Sequence, residues 1–331
     1  MFEADNLKLK ESSDLFLNEG SYFTMDYWVV SCSEKISESN HVEKQSFNKL
    51  VENIKKQMPY CHVKTDMDKI WISENIESQK LKNIFGIGTY SYCKCCSIDD
   101  LNEYFIEYCK ELNLESLQSF AHHVKLRGSH SFSSQDKEKE LSDLIRRHYP
   151  YLKIDFDNPE KEIFVEIINN DCYLFTGNIA GPGGIPTGVK GYLLALISDR
   201  INSAVASYIM MKRGYNIIPV YIDMDPYNEK RKNRAYKVVD SLRKYQPDLE
   251  LKVIKDYPFY SKKTLKQNNT NKNLLPFKNH LYIAIEDLAN KNKVKGIVTG
   301  DTINQIDSQT PNNFYLLDGA TTLPVYRPLD K

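Results

Sequence analysis

The sequence predicts an α/β protein with α+β parts, in which a small ferredoxin-like domain precedes a doubly wound parallel sheet. Three observations carry that expectation: a β-α-β-β-α-β order in the first hundred residues, buried strands alternating with helices after Tyr192, and a strand-turn-helix at Leu194–Gly214. At 331 residues the chain exceeds what one hydrophobic core serves, so two or three domains are expected. The apolar fraction of 41% is enough for packed cores.

In the N-terminal part, Tyr27 to Cys32 reads as a strand, and Phe47, Leu50, Val51, Ile54 and Met58 have the spacing of an amphipathic helix. Strands near Tyr60 to Lys64 and Lys69 to Ile72, a helix at Ser78 to Ile84 and a strand at Gly88 to Tyr92 complete the order. A further helix is expected from Ser97 to Leu114, with Asp99 and Asp100 in its first turn, where acids suit the dipole. Its face carries Asp99, Asp100, Glu103, Glu107, Glu111 and Glu115 against Lys110 alone, and should repel nucleic acid.

Zero formal net charge argues against binding nucleic acid by bulk positive charge but leaves local patches open. Six cations lie between residues 119 and 150: Lys125, Arg127, Lys137, Lys139, Arg146 and Arg147. This segment reads as a strand at Ser119 to Leu126 and a helix at Ser134 to His148, before a hairpin that turns at Asn169, Asn170 and Asp171. His122, His123, His130 and His148 share the segment, but their spacing fits no single metal-ligand face. Cys93, Cys95 and Cys96 lack CxxC spacing, so no metal site is expected there either. The odd count of seven cysteines, the lack of an apolar run of about 18 residues and the polar N-terminus suggest a soluble, cytoplasmic protein with reduced thiols.

Two stretches bear on chemistry. At Gly181-Pro-Gly-Gly-Ile-Pro-Thr-Gly188 the backbone is shaped for an irregular path, either as a rigid interdomain linker or as a loop touching RNA or nucleotide through Gly183 and Gly184. Ser198, Asp199, Arg200, Ile201, Asn202 and Ser203 occupy a strand-to-helix turn that, in ATP-activating enzymes, reads serine, two glycines, any residue, aspartate and serine. Glycines let backbone amides approach phosphate oxygens, and the helix N-terminus adds positive potential. Asp199 puts a carboxylate where phosphate should sit, Asn202 carries no charge to organise Mg²⁺, and Arg200 is the residue that could contact phosphate instead.

Several segments together resemble the tRNA 4-thiouridine synthetase family of adenylating tRNA sulfurtransferases. They are IFGIGTYS at 84–91, LKIDFDNPEKEIFVEI at 152–167, NIAGPGGIPTGVKG at 178–191, SAVASYIMMKRG at 203–214, VTGDTINQIDSQTPNN at 298–313 and LPVYRPL at 323–329. The resemblance implies an N-terminal ferredoxin-like domain over 1–117, a THUMP domain over 118–181 that binds the tRNA acceptor end, and a PP-loop ATP-pyrophosphatase domain over 182–331. It implies ATP with Mg²⁺ as cofactor, tRNA as partner and a homodimer. It also implies chemistry in which a uridine oxygen is adenylated and sulfur then displaces AMP.

By the same resemblance, Ser198, Arg200, Asn202, Ser203, Thr299, Gly300, Asp301 and Gln305 line the nucleotide side, and Lys125, Arg127, Lys137, Arg146, Arg147, Gly183 and Gly184 the RNA side. Phe277 stands where archaeal-type members carry a cysteine, and no cysteine follows Cys172, so sulfur would come from a separate donor protein or as free sulfide. No residue is assigned a catalytic role. The expectation is a tRNA-binding member whose own adenylation is lost or largely lost. The alternatives are an active sulfurtransferase using external sulfur and a nucleotide-sensing or structural protein without RNA affinity. A lysine- and asparagine-rich stretch from Tyr257 to Ile285 reads as a loop able to touch tRNA or as a polar insertion.

Overall fold

The computed structural model describes residues 26–33, 40–66, 69–73, 76–223, 229–254, 285–286, 288–303 and 310–330. The N-terminal unit comprises β1 (Tyr27–Cys32), α1 (Asn40–Gln57), β2 (Val63–Asp66), β3 (Lys69–Ser73), a 3₁₀ turn (Ser78–Asn83) and β4 (Ile87–Ser97). Its antiparallel strand order β2-β3-β1-β4 is the ferredoxin-like one. Leu50 and Ile54 of α1, with Met58 just after its end, pack onto Val30, Ile70, Ile72 and Tyr90 of this sheet. The second helix is shorter than its sequence suggests: a 3₁₀ turn that buries Leu81 alone.

Strand β4 extends well past Tyr92, and this extension joins two units. Up to Cys93 it pairs with β1, with β9 (Ile179–Ala180) at Thr89 and Tyr90, and from Lys94 to Ser97 with β8 (Asp171–Phe175), so one nine-stranded sheet runs through it. Cys93 and Cys96 are therefore buried strand residues. Among the described residues no group of three or more His, Cys, Asp or Glu could hold a metal ion.

Beyond β4 lie α2 (Leu101–Glu111), β5 (Ser119–Arg127), α3 (Ser134–His148), β6 (Lys153–Ile154) and β7 (Lys161–Ile168), and the β7–β8 hairpin turns on Asn169 in left-handed conformation (φ 53°). The expected helix from Ser97 is shorter because Asn113 also turns left-handed (φ 55°) and Ser97 still belongs to β4. A capping box starts α3: Ser133 Oγ accepts from the Asp136 amide at 3.1 Å, and Asp136 Oδ2 accepts from the Ser133 amide at 2.9 Å. Leu101, Phe105 and Cys109 of α2 share one core with Phe120, Leu141, Ile145, Ile163 and Val165. That core crosses residue 117.

The C-terminal unit is a five-stranded parallel sheet with order β12-β11-β10-β13-β14, formed by Lys252–Ile254, Asn216–Ile222, Tyr192–Leu196, Ile297–Val298 and Val325–Tyr326. The last strand has no counterpart among the sequence expectations, because two residues carry no periodicity. Helices α4 (Ile201–Lys212) and α5 (Glu229–Leu242) cover one face through Ala206, Met210, Met211, Ala235 and Val239. Ile285, Ala289, Phe314 and Leu317 cover the other. Both faces are buried, as a doubly wound sheet requires. Among the described residues no helix is long and apolar enough to cross a membrane.

The glycine-proline stretch is a strap between the units. The Gly181 amide donates to Gly88 O (2.8 Å), that of Gly183 to Ile87 O (2.9 Å), and that of Gly86 back to Gly183 O (3.0 Å). On the other side, Ile185 N donates to Lys212 O (2.9 Å) and Gly188 N to Gly214 O (3.0 Å). Ser33 Oγ donates to Gly184 O at 2.5 Å and Asn53 Nδ2 to Thr187 O at 2.9 Å. Phe85, 1% exposed, closes the same junction by packing between Tyr208 and Tyr245 at 5.2 Å from each ring. Of the two readings left open for this stretch, the linker accounts for its backbone.

Candidate functional site: the loop after β10

Strand order reverses between β10 and β13, and the loops leaving the carboxyl ends of these two strands meet there. Open α/β sheets bind ligands at such a switch point. The first loop runs from Ile197 to Arg200, and α4 begins at Ile201, slightly earlier than the sequence suggests. Arg200 is its N-cap residue and has no side-chain acceptor with which to cap. Two serines close the turn instead. Ser203 Oγ accepts from the Ser198 amide at 3.1 Å and donates to Arg200 O at 3.0 Å, while the Arg200 amide donates to Ser198 Oγ at 3.3 Å.

From β13, Thr299 is buried and its amide donates to Tyr326 O at 3.0 Å. The Asp301 amide donates to Thr299 Oγ1 at 3.3 Å. Gly300 lies against the first turn of α4: a Cβ there would fall 2.6 Å from Asn202 C and Ser203 N. The structure thus brings Ser198, Arg200, Asn202, Ser203, Thr299, Gly300 and Asp301 to one end of the sheet. Gln305 lies outside the described residues, as do Phe277 and most of the lysine-rich stretch.

Asp199 is not the isolated charge its sequence position suggests. Its Oδ2 lies 3.5 Å from Arg234 Nη1 and 3.9 Å from Arg231 Nε, both on α5. The two arginines are three residues apart and so share a helix face. Sequence reasoning missed them; the one available signal was their spacing in the basic run Glu229-Lys-Arg-Lys-Asn-Arg234. Two guanidinium groups therefore flank this carboxylate, and the exposed Arg200 adjoins it in the chain. The Ser198 amide is committed to Ser203 Oγ, and side chains stand at both glycine positions.

The expected RNA-side residues divide. Lys125, Arg146 and Arg147 are exposed, the last two in the final turn of α3, where cations also suit the helix dipole. Arg127 is turned inward instead: its Nε lies 3.0 Å from Glu166 Oε1, and Lys69 Nζ lies 3.8 Å from Glu166 Oε2. Both side chains of the Arg127–Glu166 pair are nearly buried, so this cation balances an internal acid. Lys137 lies over the Phe132 ring (5.1 Å) with Nζ 2.8 Å from Glu140, and is mostly covered. Gly183 spends its amide and carbonyl on the strap, and Gly184 faces Lys212.

The histidines also serve separate local roles. His122 is buried with Nε2 2.9 Å from Glu138 O, and His123 stacks on Phe164 at 5.3 Å. His130 and His148 each reach a nearby backbone carbonyl.

Comparison with known proteins bears on this arrangement. The THUMP domain family matches residues 95–176, starting inside β4, and the family described as thiamine biosynthesis protein (ThiI) matches residues 188–330. A "probable tRNA sulfurtransferase" of Saccharolobus solfataricus is 32% identical over 276 residues, covering 79% of this chain and 72% of that protein. Among solved structures, a 4-thiouridine synthetase–RNA complex with bound ATP superposes with a TM-score of 0.79 at 25% identity, covering 92% of this chain and 81% of that one. The protein PH1313 from Pyrococcus horikoshii OT3 shares the fold, with a TM-score of 0.70 at 21% identity over 92% of this chain and 95% of that one. By its sequence relatives, its paired THUMP and ThiI domains and its parallel-sheet architecture, the chain belongs to the tRNA sulfurtransferase family.

Proposed function

We propose that the chain binds tRNA through its THUMP and N-terminal elements and that its own adenylation and sulfur-transfer steps are lost or largely lost. It then acts by presenting tRNA to a partner that supplies the sulfur chemistry. The observation that carries this reading is the loop after β10, where Asp199 replaces the first glycine and is held by Arg231 and Arg234 while Ser203 Oγ takes the Ser198 amide. Asn202 in place of an aspartate removes a charge that would organise Mg²⁺, and Phe277 in place of a cysteine removes the persulfide carrier.

Exposed Lys125, Lys139, Arg146 and Arg147 supply cations for phosphate contacts on the THUMP side. The relatives' names and the RNA-bound neighbour support tRNA as the ligand. Such a protein works in the cytoplasm, where its substrate is.

A second reading, an active ATP-dependent sulfurtransferase fed by external sulfur, is favoured by the Arg231 and Arg234 guanidinium groups at the loop and the exposed Arg200 in it. Pyrophosphate release from ATP in the presence of unmodified tRNA separates the two. Release at background supports a lost adenylation step; release above background establishes the second reading. Filter binding of tRNA across a salt series tests the RNA affinity on which both depend, and a flat, weak response would remove both.

A further inference from the structure

We propose that Arg200, Arg231 and Arg234 form a phosphate-binding site made of side chains, and that Asp199 is its internal competitor. This deepens the lost-adenylation reading, on which it rests for the location of the site. A glycine-type loop holds phosphate with backbone amides; here side chains stand at both glycine positions, and the Ser198 and Arg200 amides are bonded to Ser203 Oγ and Ser198 Oγ. Side chains beside the loop are then a second source of anion affinity at this end of the sheet.

The geometry supplies them. Arg231 and Arg234 lie one turn apart on α5 and converge on the same atom, Asp199 Oδ2, at 3.9 and 3.5 Å. Both distances are ion-pair contacts longer than a good hydrogen bond, so the guanidinium donors remain poorly used by the carboxylate. Both arginine side chains are more than half exposed, at 55% and 64%, whereas Asp199 is 25% exposed. The cations therefore open to solvent and the acid sits behind them. Arg200, also exposed, adjoins Asp199 in the chain at the start of α4.

A carboxylate offers one negative charge and no third oxygen, whereas a phosphate group carries more charge and forked acceptors that suit guanidinium groups. A partly exposed pair of this kind is weak enough to be displaced. Asp199 thus sets the affinity: it neutralises part of the cluster and repels the incoming anion, without blocking it by bulk. The ligand class is a phosphate-bearing anion, drawn from a nucleotide's polyphosphate tail or from an RNA backbone.

The test is equilibrium titration calorimetry on the full chain with inorganic tripolyphosphate, ATP and unmodified tRNA as separate probes. It compares wild type, Asp199→Asn, Arg231→Gln/Arg234→Gln, and the triple combination. Asp199→Asn should tighten tripolyphosphate binding by about two- to fivefold, the scale of one partly exposed charge pair. The gain should disappear in the triple variant. A gain shared by ATP and absent for tRNA assigns the site to nucleotide tails; the reverse assigns it to RNA backbone. Unchanged tripolyphosphate affinity in Asp199→Asn, or a gain that persists without the two arginines, overturns the proposal. The titrations need no turnover, so their failure leaves the pyrophosphate-release result standing, and pyrophosphate release by wild type would overturn the lost-adenylation reading alone.

Discussion

Gly184 faces the backbone of Lys212 so closely that a Cβ on Gly184 would lie 2.4 Å from the Lys212 carbonyl oxygen. That same oxygen accepts the Ile185 amide at 2.9 Å, and Gly184 is itself left-handed (φ 76°). The strap and the end of α4 are thus held together by a close backbone contact. Gly184→Ala should lower stability by about 1–3 kcal/mol, combining left-handed strain with a clash that only backbone movement relieves. Gly183 is equally left-handed (φ 67°), but nothing lies within 4 Å of its Cβ direction. Gly183→Ala should therefore cost about 1 kcal/mol of strain. Thermal denaturation of both variants checks the difference, and equal losses would show that the Lys212 contact is not felt.

Phe85 should hold the two units in register. It is buried between Tyr208 of α4 and Tyr245, although it belongs to the N-terminal unit. Phe85→Ala should cost about 3–5 kcal/mol, the usual range for deleting a buried ring. Faster hydrogen exchange should accompany the loss at the Ile185 and Gly188 amides, which bond across the junction. Unchanged exchange there would mean that the strap holds without the ring.

These tertiary contacts mark the boundary of what the sequence makes legible. The ferredoxin-like order was readable because Leu50, Ile54 and Met58 repeat with helical period and the strands around them are short and apolar. The full length of β4 was not, because Cys93-Lys-Cys-Cys96 carries no clean alternation and its second partner, β8, lies some 75 residues further along. The loop after β10 was located by its neighbours and altered residues. The spacing of Arg231 and Arg234 hints at a shared face but does not identify Asp199 as their partner, because that pairing depends on how α5 packs beside α4. Arg127 was misread for a related reason: one strand residue looks like another until its face is known, and this one meets Glu166.

The inward turn of Arg127 separates stability from RNA affinity. Arg127→Ala leaves a nearly buried Glu166 carboxylate whose remaining cation among the described residues is Lys69 at 3.8 Å, and should cost about 3–5 kcal/mol of stability. Arg146→Ala/Arg147→Ala, on the exposed end of α3, should change stability by less than about 1 kcal/mol. If α3 meets RNA phosphates, the double variant should also flatten the salt slope of tRNA binding by about two. Urea denaturation and salt-dependent filter binding read the two effects separately. An unchanged slope would place the RNA elsewhere on the protein.

His122 should make stability depend on pH in the mildly acidic range. Burial on β5, with the ring among Phe105, Phe120 and Phe156, holds its pKa below the ordinary histidine value and outweighs the opposing pull of the Glu138 carbonyl and carboxylate. The folded state therefore prefers neutral imidazole, and the unfolded chain takes up a proton near pH 6.5 that the fold refuses. The stabilisation is fully present above that value and is lost as pH falls through it toward the lower folded pKa, with a limiting slope of about 1.4 kcal/mol per pH unit. His122→Gln removes the titration while keeping a donor for Glu138 O. Urea midpoints at pH 7.5 and pH 5.5 should fall further for wild type than for the variant; a parallel fall would assign the acid sensitivity to other groups.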